Sequence, residues 1–340
     1  MIRKPEGYSP EFWQGQKAEF AKEAQAIERL REETKRFIRD QLTQDARILV
    51  FDLAGVQSPE QVGDEDLARQ AREFQFGGVE RATYGESIRQ FLGFEERDPR
   101  VTIWEAAANQ RIDRRSLPYP DIWVTSGGPA MPSELARGKE TGNTQWLRRV
   151  VGVMKELRKA RVPGLAICLG HQLWQYMEGA KVGPVGGGRR EFGTPELYPA
   201  GIGEELQLLQ GFWDERKATP MAASHSEGVR LPSKKEGVRA IAWNDYMKHQ
   251  GFAHPLRKGQ DVREADIEDE LVVSLQNHPD VATHWAQVIK LVRGEAMMME
   301  GLDPASILLK ATPEAKKIWL NLLELTARRL KKRQKAGMHV

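Results

Sequence analysis

The sequence predicts an α/β fold: a doubly wound, mostly parallel sheet with flanking helices and helical extensions at both ends. One pattern in the sequence predicts this fold, and the length of the chain allows it. Short apolar runs rich in branched residues, which are typical of buried parallel strands, recur along the chain, and helical stretches separate them. A length of 340 residues with 40% hydrophobic side chains is enough for one large domain or two ordinary ones.

The first segment is charged, and its apolar residues recur at helical spacing between residues 9 and 45. This pattern predicts an amphipathic helix, and we assign residues 1–45 to an N-terminal extension. Two interpretations stay open for this helix. It packs against the main domain, or it is an arm that dimerises or docks a partner.

Residues 46–295 are predicted to form the α/β domain. Its strands are expected at 46–55, 100–106, 121–129, 163–170 and 271–280, with a helix at 143–160 and further helices around 171–180 and 281–292. Residues 56–99 are interpreted as an insertion with helices near 64–75 and 84–92. Residues 296–340 are predicted to be a C-terminal helical extension, with helices near 304–309 and 313–329.

The charge balance argues against a general nucleic-acid or membrane binder. Lysine plus arginine number 51 and aspartate plus glutamate 48, which leaves a formal charge of +3. The basic run 328–335 is interpreted as the solvated end of a helix, with an RNA or acidic-partner contact as the alternative. No apolar run suits a membrane span or a secretory signal, so we expect a cytoplasmic protein.

The single cysteine, Cys168, rules out an intramolecular disulfide and a cysteine-based metal cluster. We predict no metal and no cofactor. The glycine cluster 182–190 follows a helix instead of leading from a strand into one, so it is interpreted as a loop and not as a phosphate site. Four tryptophans in apolar patterns are assigned to the core: Trp123, Trp146, Trp174 and Trp319.

Cys168 lies where a predicted strand runs directly into a helix. A residue at that corner sits at the carboxyl end of a strand and below the positive end of a helix dipole, and both features favour a thiolate nucleophile. The alternative is an inert buried thiol, because free cysteine is among the most buried residue types.

The motif Cys-Leu-Gly-His-Gln at 168–172 resembles the nucleophile motif of class I glutamine amidotransferases, and the likeness continues in order along the chain. The family's glycine-rich loop is similar to Ser-Gly-Gly-Pro at 126–129, and its Glu-x-Gly segment is similar to 191–193. The segment 224–232 resembles its Ser-His segment, and His-Pro-Asp at 278–280 stands where the family has His-Pro-Glu. The subgroup it most resembles is the amidotransferase portion of GMP synthetase and its stand-alone relatives.

The resemblance implies a role for each matched residue. Cys168 would attack the side-chain amide of glutamine, His278 would act as general base and then acid, and Asp280 would orient the imidazole. Backbone amides of Gly128 and Leu169 would form the oxyanion hole. The glutamine substrate would be held by three further residues: Gln172, His225 and Ser226.

Two residues depart from the family pattern. The carboxylate of Asp280 is shorter than that of glutamate by one carbon–carbon bond, roughly 1.5 Å, so its contact with His278 needs a backbone adjustment. Ala166 replaces a glycine and is expected to narrow the substrate pocket. These departures leave a catalytically decayed scaffold as an alternative to an active enzyme.

The predicted activity is the release of glutamate and ammonia from glutamine through a γ-glutamyl thioester. The ammonia would go to a separate synthase or acceptor enzyme. The alternative enzyme is a stand-alone hydrolase of another γ-glutamyl compound. The terminal helices could also join copies of the chain into a homo-oligomer.

Overall fold

The computed structural model describes residues 9–55, 65–76, 83–108, 120–136, 142–185, 190–213, 218–260, 262, 271–299 and 301–335. Five parallel strands form one half of its central sheet. They are β1 (Ile48–Asp52), β2 (Val101–Glu105), β3 (Ile122–Thr125), β4 (Gly164–Ile167) and, from much later in the chain, β13 (Leu271–Leu275). All five strands were predicted, and they confirm the α/β class.

The other half of the sheet is antiparallel and was not predicted. Between β4 and β13 the chain forms β5 (Lys181–Pro184), β6 (Glu191–Gly193), β7 (Glu196–Pro199), β8 (Thr219–Pro220), β9 (Ala223–His225), β10 (Glu227–Leu231), β11 (Arg239–Trp243) and β12 (Gly251–Pro255). Four of these complete a nine-stranded sheet in the order β2-β1-β3-β4-β13-β12-β11-β7-β8. The remaining four form two small pairs, β10 with β5 and β6 with β9.

Successive residues of a strand point to opposite faces of the sheet, and here the residues on both faces are apolar. Helices therefore cover both faces. Leu49 and Trp123 face one layer, which contains α5 (Gly142–Lys159) and α6 (Leu169–Met177). Val50 and Val124 face the other layer. That layer contains α1 (Pro10–Gln41), α3 (Tyr84–Phe91) and α9 (Pro313–Lys335). The four tryptophans assigned to the core are buried.

The helices of the insertion and the extensions pack against this core. From the insertion comes α2 (Glu65–Phe76), which contacts α7 (Thr283–Val292). The apolar face of α1 is buried mainly against α9 of the same chain. Short α4 (Ser133–Ala136) and α8 (Gly294–Met299) were not predicted as separate helices.

Several predicted boundaries change. The C-terminal helix extends to Lys335, so the basic run is its last turns, and the predicted helix at 304–309 is one 3₁₀ turn, Pro304–Ser306. The expected loop at 182–190 begins as strand β5, and its residues 186–189 lie outside the described residues. No helix among those described is long and apolar enough to cross a membrane.

Candidate active site

The turn between β4 and α6 places Cys168 in a strained conformation. Its φ of 48° and ψ of −104° lie in a region that residues with side chains rarely adopt. The backbone on either side is fixed, since the Cys168 amide donates to Leu275 O at 2.8 Å and the Gln172 amide donates to Cys168 O at 2.9 Å. Backbone strain of this kind is characteristic of functional sites.

Small residues around this turn are required by packing. A β-carbon at Gly170 would lie 1.7 Å from the hydroxyl oxygen of Thr125, which itself accepts a hydrogen bond from the Ile167 amide. Ala166 is buried in the apolar layer under α5 and α6 and is not part of the cavity lining. The expectation that its β-carbon narrows the pocket is therefore wrong.

His278 is held beside Cys168 by backbone and side-chain contacts. Its amide donates to Ala222 O at 2.7 Å, and its Nδ1 lies 3.1 Å from Oδ1 of Asp280. Gly127 lies between the two side chains, because a β-carbon there would be 2.3 Å from His278 Cε1 and 3.2 Å from Cys168 Cβ. The structure thus brings Cys168, His278 and Asp280 together in the predicted order.

The electrostatics of this cluster favour a charged imidazole. Burial would lower the pKa of His278, but the charges of Cys168 and Asp280 and hydrogen bonds with both side chains raise that pKa to about 10. An imidazolium next to a thiol stabilises the thiolate, which is the nucleophilic form of cysteine.

The two predicted oxyanion-hole residues lie close to Cys168. Gly128 lines the cavity, and a β-carbon on it would come within 2.2 Å of Leu53 O. Leu169 is the first residue of α6, and its side chain is buried in the core. The backbone at Gly128 therefore passes too close to the Leu53 carbonyl for any residue with a β-carbon.

The three predicted substrate-binding residues also line the cavity. The amide nitrogen of Gln172 donates to Glu227 O at 2.6 Å and to Gln276 Oε1 at 3.2 Å, which ties α6 to the neighbouring strands. Nε2 of His225 lies 2.7 Å from Oε2 of Glu191. Glu191 belongs to the Glu-x-Gly segment, and it also accepts hydrogen bonds from Asn244 and Gln250.

Several residues at the cavity were not predicted from the motifs. Glu227 follows the predicted Ser226, and its carboxylate accepts hydrogen bonds from the amide and the hydroxyl of Ser133. Arg190 and Arg293 also line the cavity. Only Glu227 had a usable signal, because it falls within the quoted segment 224–232.

The cavity has a volume of about 260 Å³ and unlike walls. One wall carries the polar groups around Cys168. The other is an apolar face of α7, formed by Trp285, Ala286, Val288, Ile289 and Val292. Trp285 donates its indole hydrogen to the hydroxyl of Tyr84 at 2.7 Å, which connects this wall to the insertion.

Two further histidines are held by contacts of other kinds. His254 is hydrogen-bonded to Gln175 at 2.7 Å, and His284 stacks between Phe20 and Phe74. Within the described ranges, no group of three or more His, Cys, Asp or Glu side chains is placed to bind a metal ion.

In this mixed α/β sheet, a cysteine at the turn after a central strand faces a histidine that is paired with a carboxylate, and a cysteine, a base and a group that orients the base are the parts of a nucleophilic site. The family model described as "Glutamine amidotransferase class-I" matches residues 82–287. The chain belongs to this family, as the resemblance of its motifs predicted.

Two solved structures are similar to this chain at low sequence identity, and the first of them shows the same fold. A glutamine amidotransferase from Thermotoga maritima is 17% identical with a TM-score of 0.53, and the match covers 84% of this chain and 98% of that one. A putative GMP synthase component from Thermoplasma acidophilum is 15% identical with a TM-score of 0.48, over 85% and 98% of the two chains. A search of curated proteins finds no significant match.

Proposed function

We propose that the chain hydrolyses the side-chain amide of glutamine to glutamate and ammonia, with Cys168 as nucleophile. The observation that carries this proposal is the contact of a strained, buried cysteine with a histidine that a buried carboxylate holds in place. Membership of the class-I glutamine amidotransferase family supports the choice of glutamine.

In the first half of the proposed reaction, the thiolate of Cys168 attacks the amide carbonyl carbon. The carbonyl oxygen becomes an oxyanion, which the amides of Gly128 and Leu169 would stabilise. His278 donates its proton to the amide nitrogen, the carbon–nitrogen bond breaks, and ammonia leaves. The product of this half is a γ-glutamyl thioester on Cys168.

In the second half, water attacks the thioester. His278 accepts a proton from that water, the carbon–sulfur bond breaks, and glutamate leaves with the thiolate regenerated. Asp280 stabilises the imidazolium in both halves. Gln172, His225 and Ser226 are proposed to hold the glutamine, since all three face the same cavity as Cys168.

The ammonia is proposed to pass to a separate acceptor enzyme. Two apolar side chains at the cavity support this, since Met131 is 46% exposed and Val292 is 45% exposed. Exposed apolar residues that form a contiguous patch mark a surface that contacts a partner.

A second candidate substrate is a γ-glutamyl compound with an apolar group on its amide nitrogen. The apolar face of α7 favours this candidate, because an apolar group on the amide nitrogen would add apolar surface to the methylene groups of the γ-glutamyl part and could contact Trp285 and Ile289. Hydrolysis of γ-glutamyl anilide and of glutamine by the same enzyme distinguishes the two. A higher kcat/KM for the anilide that is lost in Trp285→Ala would favour the larger substrate.

The experiment that tests the proposed function is intact-mass analysis after exposure to an electrophilic glutamine analogue. We expect one label per chain, its absence in Cys168→Ala, and protection by excess glutamine. Labelling measures the assembled site directly, so it does not depend on an acceptor enzyme. No labelling of a folded wild-type chain would contradict the proposal and favour the non-catalytic scaffold.

A further inference from the structure

The backbone that follows His278 is held by side chains from outside the sheet. Nζ of Lys316, on α9, donates to Pro279 O at 3.0 Å and to Val281 O at 2.8 Å. The indole of Trp319, one turn further along the same helix, donates to Pro279 O at 3.2 Å. The C-terminal helix therefore fixes the carbonyl groups on both sides of Asp280.

The insertion holds the same loop from another direction. The amide nitrogen of Gln75, on α2, donates to Asp280 O, and its amide oxygen accepts from the Ala282 amide at 2.6 Å. The hydroxyl of Ser87, on α3, lies 3.3 Å from Asp280 O. Together with Lys316, these contacts satisfy every carbonyl from residue 279 to residue 281.

The carboxylate of Asp280 depends on this backbone for its position. Asp280 is fully buried, its Oδ1 faces His278, and its Oδ2 has no hydrogen-bond partner among the described residues. An aspartate is shorter than the glutamate of the family pattern by roughly 1.5 Å. The loop must therefore bring the carboxylate to the imidazole.

Lys316 also places a buried charge near the cluster. Its ammonium group lies 3.4 Å from Glu23 on α1, and it is almost completely buried. Burial lowers the pKa of Lys316 below its ordinary value, and the charges of Glu23 and Asp280 oppose this shift only in part. A buried ammonium is costly unless its protons are all used, and two carbonyls and one carboxylate use them here.

We propose that Lys316, together with Gln75, is a positioning residue that fixes the backbone of residues 279–282 so that Asp280 reaches His278. The inference rests on the proposed function, because Asp280 matters only where His278 works with Cys168. Glu23, Gln75 and Lys316 all lie outside residues 82–287, which the family model matches.

The test compares Lys316→Met and Gln75→Met with the matched control Lys317→Met. Lys317 is the exposed neighbour on the same helix and donates to Gly211 O at 2.9 Å. Because Cys168 is the only cysteine, its alkylation by iodoacetamide can be followed across the pH range without competing thiols. Charged or titratable groups around Cys168 and His278 include Asp280, Tyr84 and Arg293, with Lys316 and Glu23 behind Asp280. Arg190, His225 and Glu227 line the same cavity.

We expect the pH of half-maximal alkylation to rise by about one unit in Lys316→Met and by less in Gln75→Met, because a displaced Asp280 stabilises the imidazolium less. For glutamine hydrolysis, kcat should fall about tenfold in Lys316→Met while KM stays within about twofold. Lys317→Met should match wild type. A loss of thermal stability alone would not move the alkylation profile.

Unchanged alkylation profiles in folded Lys316→Met and Gln75→Met would overturn the inference, even if the analogue labels Cys168. If Lys316→Met does not fold, Gln75→Met decides alone, because removing a neutral side chain leaves no charge unpaired. A third outcome is that the variants have shifted alkylation profiles but the glutamine analogue does not label the wild-type chain. This outcome would support the positioning role and contradict glutamine as the substrate.

Discussion

The turn at Cys168 and the loop at residues 279–282 meet at one site but are built in different ways. The turn is local: a strand, one strained residue and a helix follow each other in the chain, and Thr125 packs against them from the neighbouring strand. The loop is held by side chains of the distant helices α2, α3 and α9, and α1 contacts one of those side chains, Lys316. Cys168, the proposed nucleophile, is therefore positioned by the α/β core, whereas the segments that hold the loop after His278 lie mostly outside the family match.

The largest expected effect comes from the two reacting side chains. Cys168→Ala should abolish glutamine hydrolysis, and His278→Asn should lower kcat about a thousandfold or more, because the leaving ammonia then lacks its proton donor. Ammonia release under single-turnover conditions measures both. Equal activity of Cys168→Ala and wild type would show that the chemistry lies elsewhere.

Gly127→Ala should separate the imidazole of His278 from the thiol of Cys168, which is where the turn and the segment before the loop meet. Its β-carbon would need the space of His278 Cε1, 2.3 Å away, so the imidazole must move from the thiol. We expect about a hundredfold lower kcat with the fold retained. Gly15→Ala is the matched control, since a β-carbon there meets nothing within 4 Å. Activity near wild type in Gly127→Ala would mean that the imidazole does not need its place beside Cys168.

Asp280→Glu restores the residue of the family pattern and tests whether the loop is adapted to the shorter side chain. The carboxylate of Asp280 is fully buried and the loop is fixed by Lys316 and Gln75, so an added methylene has no space. Overpacking of this kind costs about 1–3 kcal/mol, and we expect kcat/KM to fall about tenfold and Tm to drop. Higher activity in Asp280→Glu would show that the loop does not compensate for the aspartate.

The prediction with the smallest expected effect on glutamine hydrolysis concerns stability in acid. Burial lowers the pKa of His171 and His254 to about 3 and that of His284 to about 4. Below pH 6.5 the unfolded chain gains protons that the folded chain does not, so stability should fall as pH decreases toward these values. Each histidine contributes on the order of 1 kcal/mol per pH unit within its range.

His284→Phe removes one of these three histidines from the acid titration of stability. His284 precedes Trp285 on α7, which follows the loop, and it stacks between Phe20 and Phe74, whereas His171 lies on α6, which follows the turn at Cys168. The plot of Tm against pH should become less steep in this variant. An unchanged slope would mean that His284 is protonated in the folded chain.

The sequence was informative where the structure is local. Short buried strands and the motif around Cys168 could be predicted, because their residues follow each other and their chemistry depends on neighbours in the chain. The antiparallel strands, such as β11 and β12, were missed because Arg239 in one and Gly251 and Pro255 in the other interrupt the apolar run.

The support of Asp280 could not be predicted for a different reason. Lys316 looks like one more cation on a charged helix, and Gln75 looks like a polar residue on another. Only the tertiary packing of α2 and α9 brings them to one loop. The role of Ala166 was misjudged in the same way, because the side of the strand it faces depends on the register with β3 and β13.

The measurement that tests the central claim most directly is interception of the thioester with hydroxylamine. Wild-type chain is mixed with a comparable concentration of glutamine and excess hydroxylamine, so that a single turnover suffices, and γ-glutamyl hydroxamate is measured by mass spectrometry. We predict that wild type forms hydroxamate and Cys168→Ala forms none. Equal formation by both chains, or none from a wild-type chain that the glutamine analogue labels, would contradict covalent catalysis of glutamine hydrolysis at Cys168.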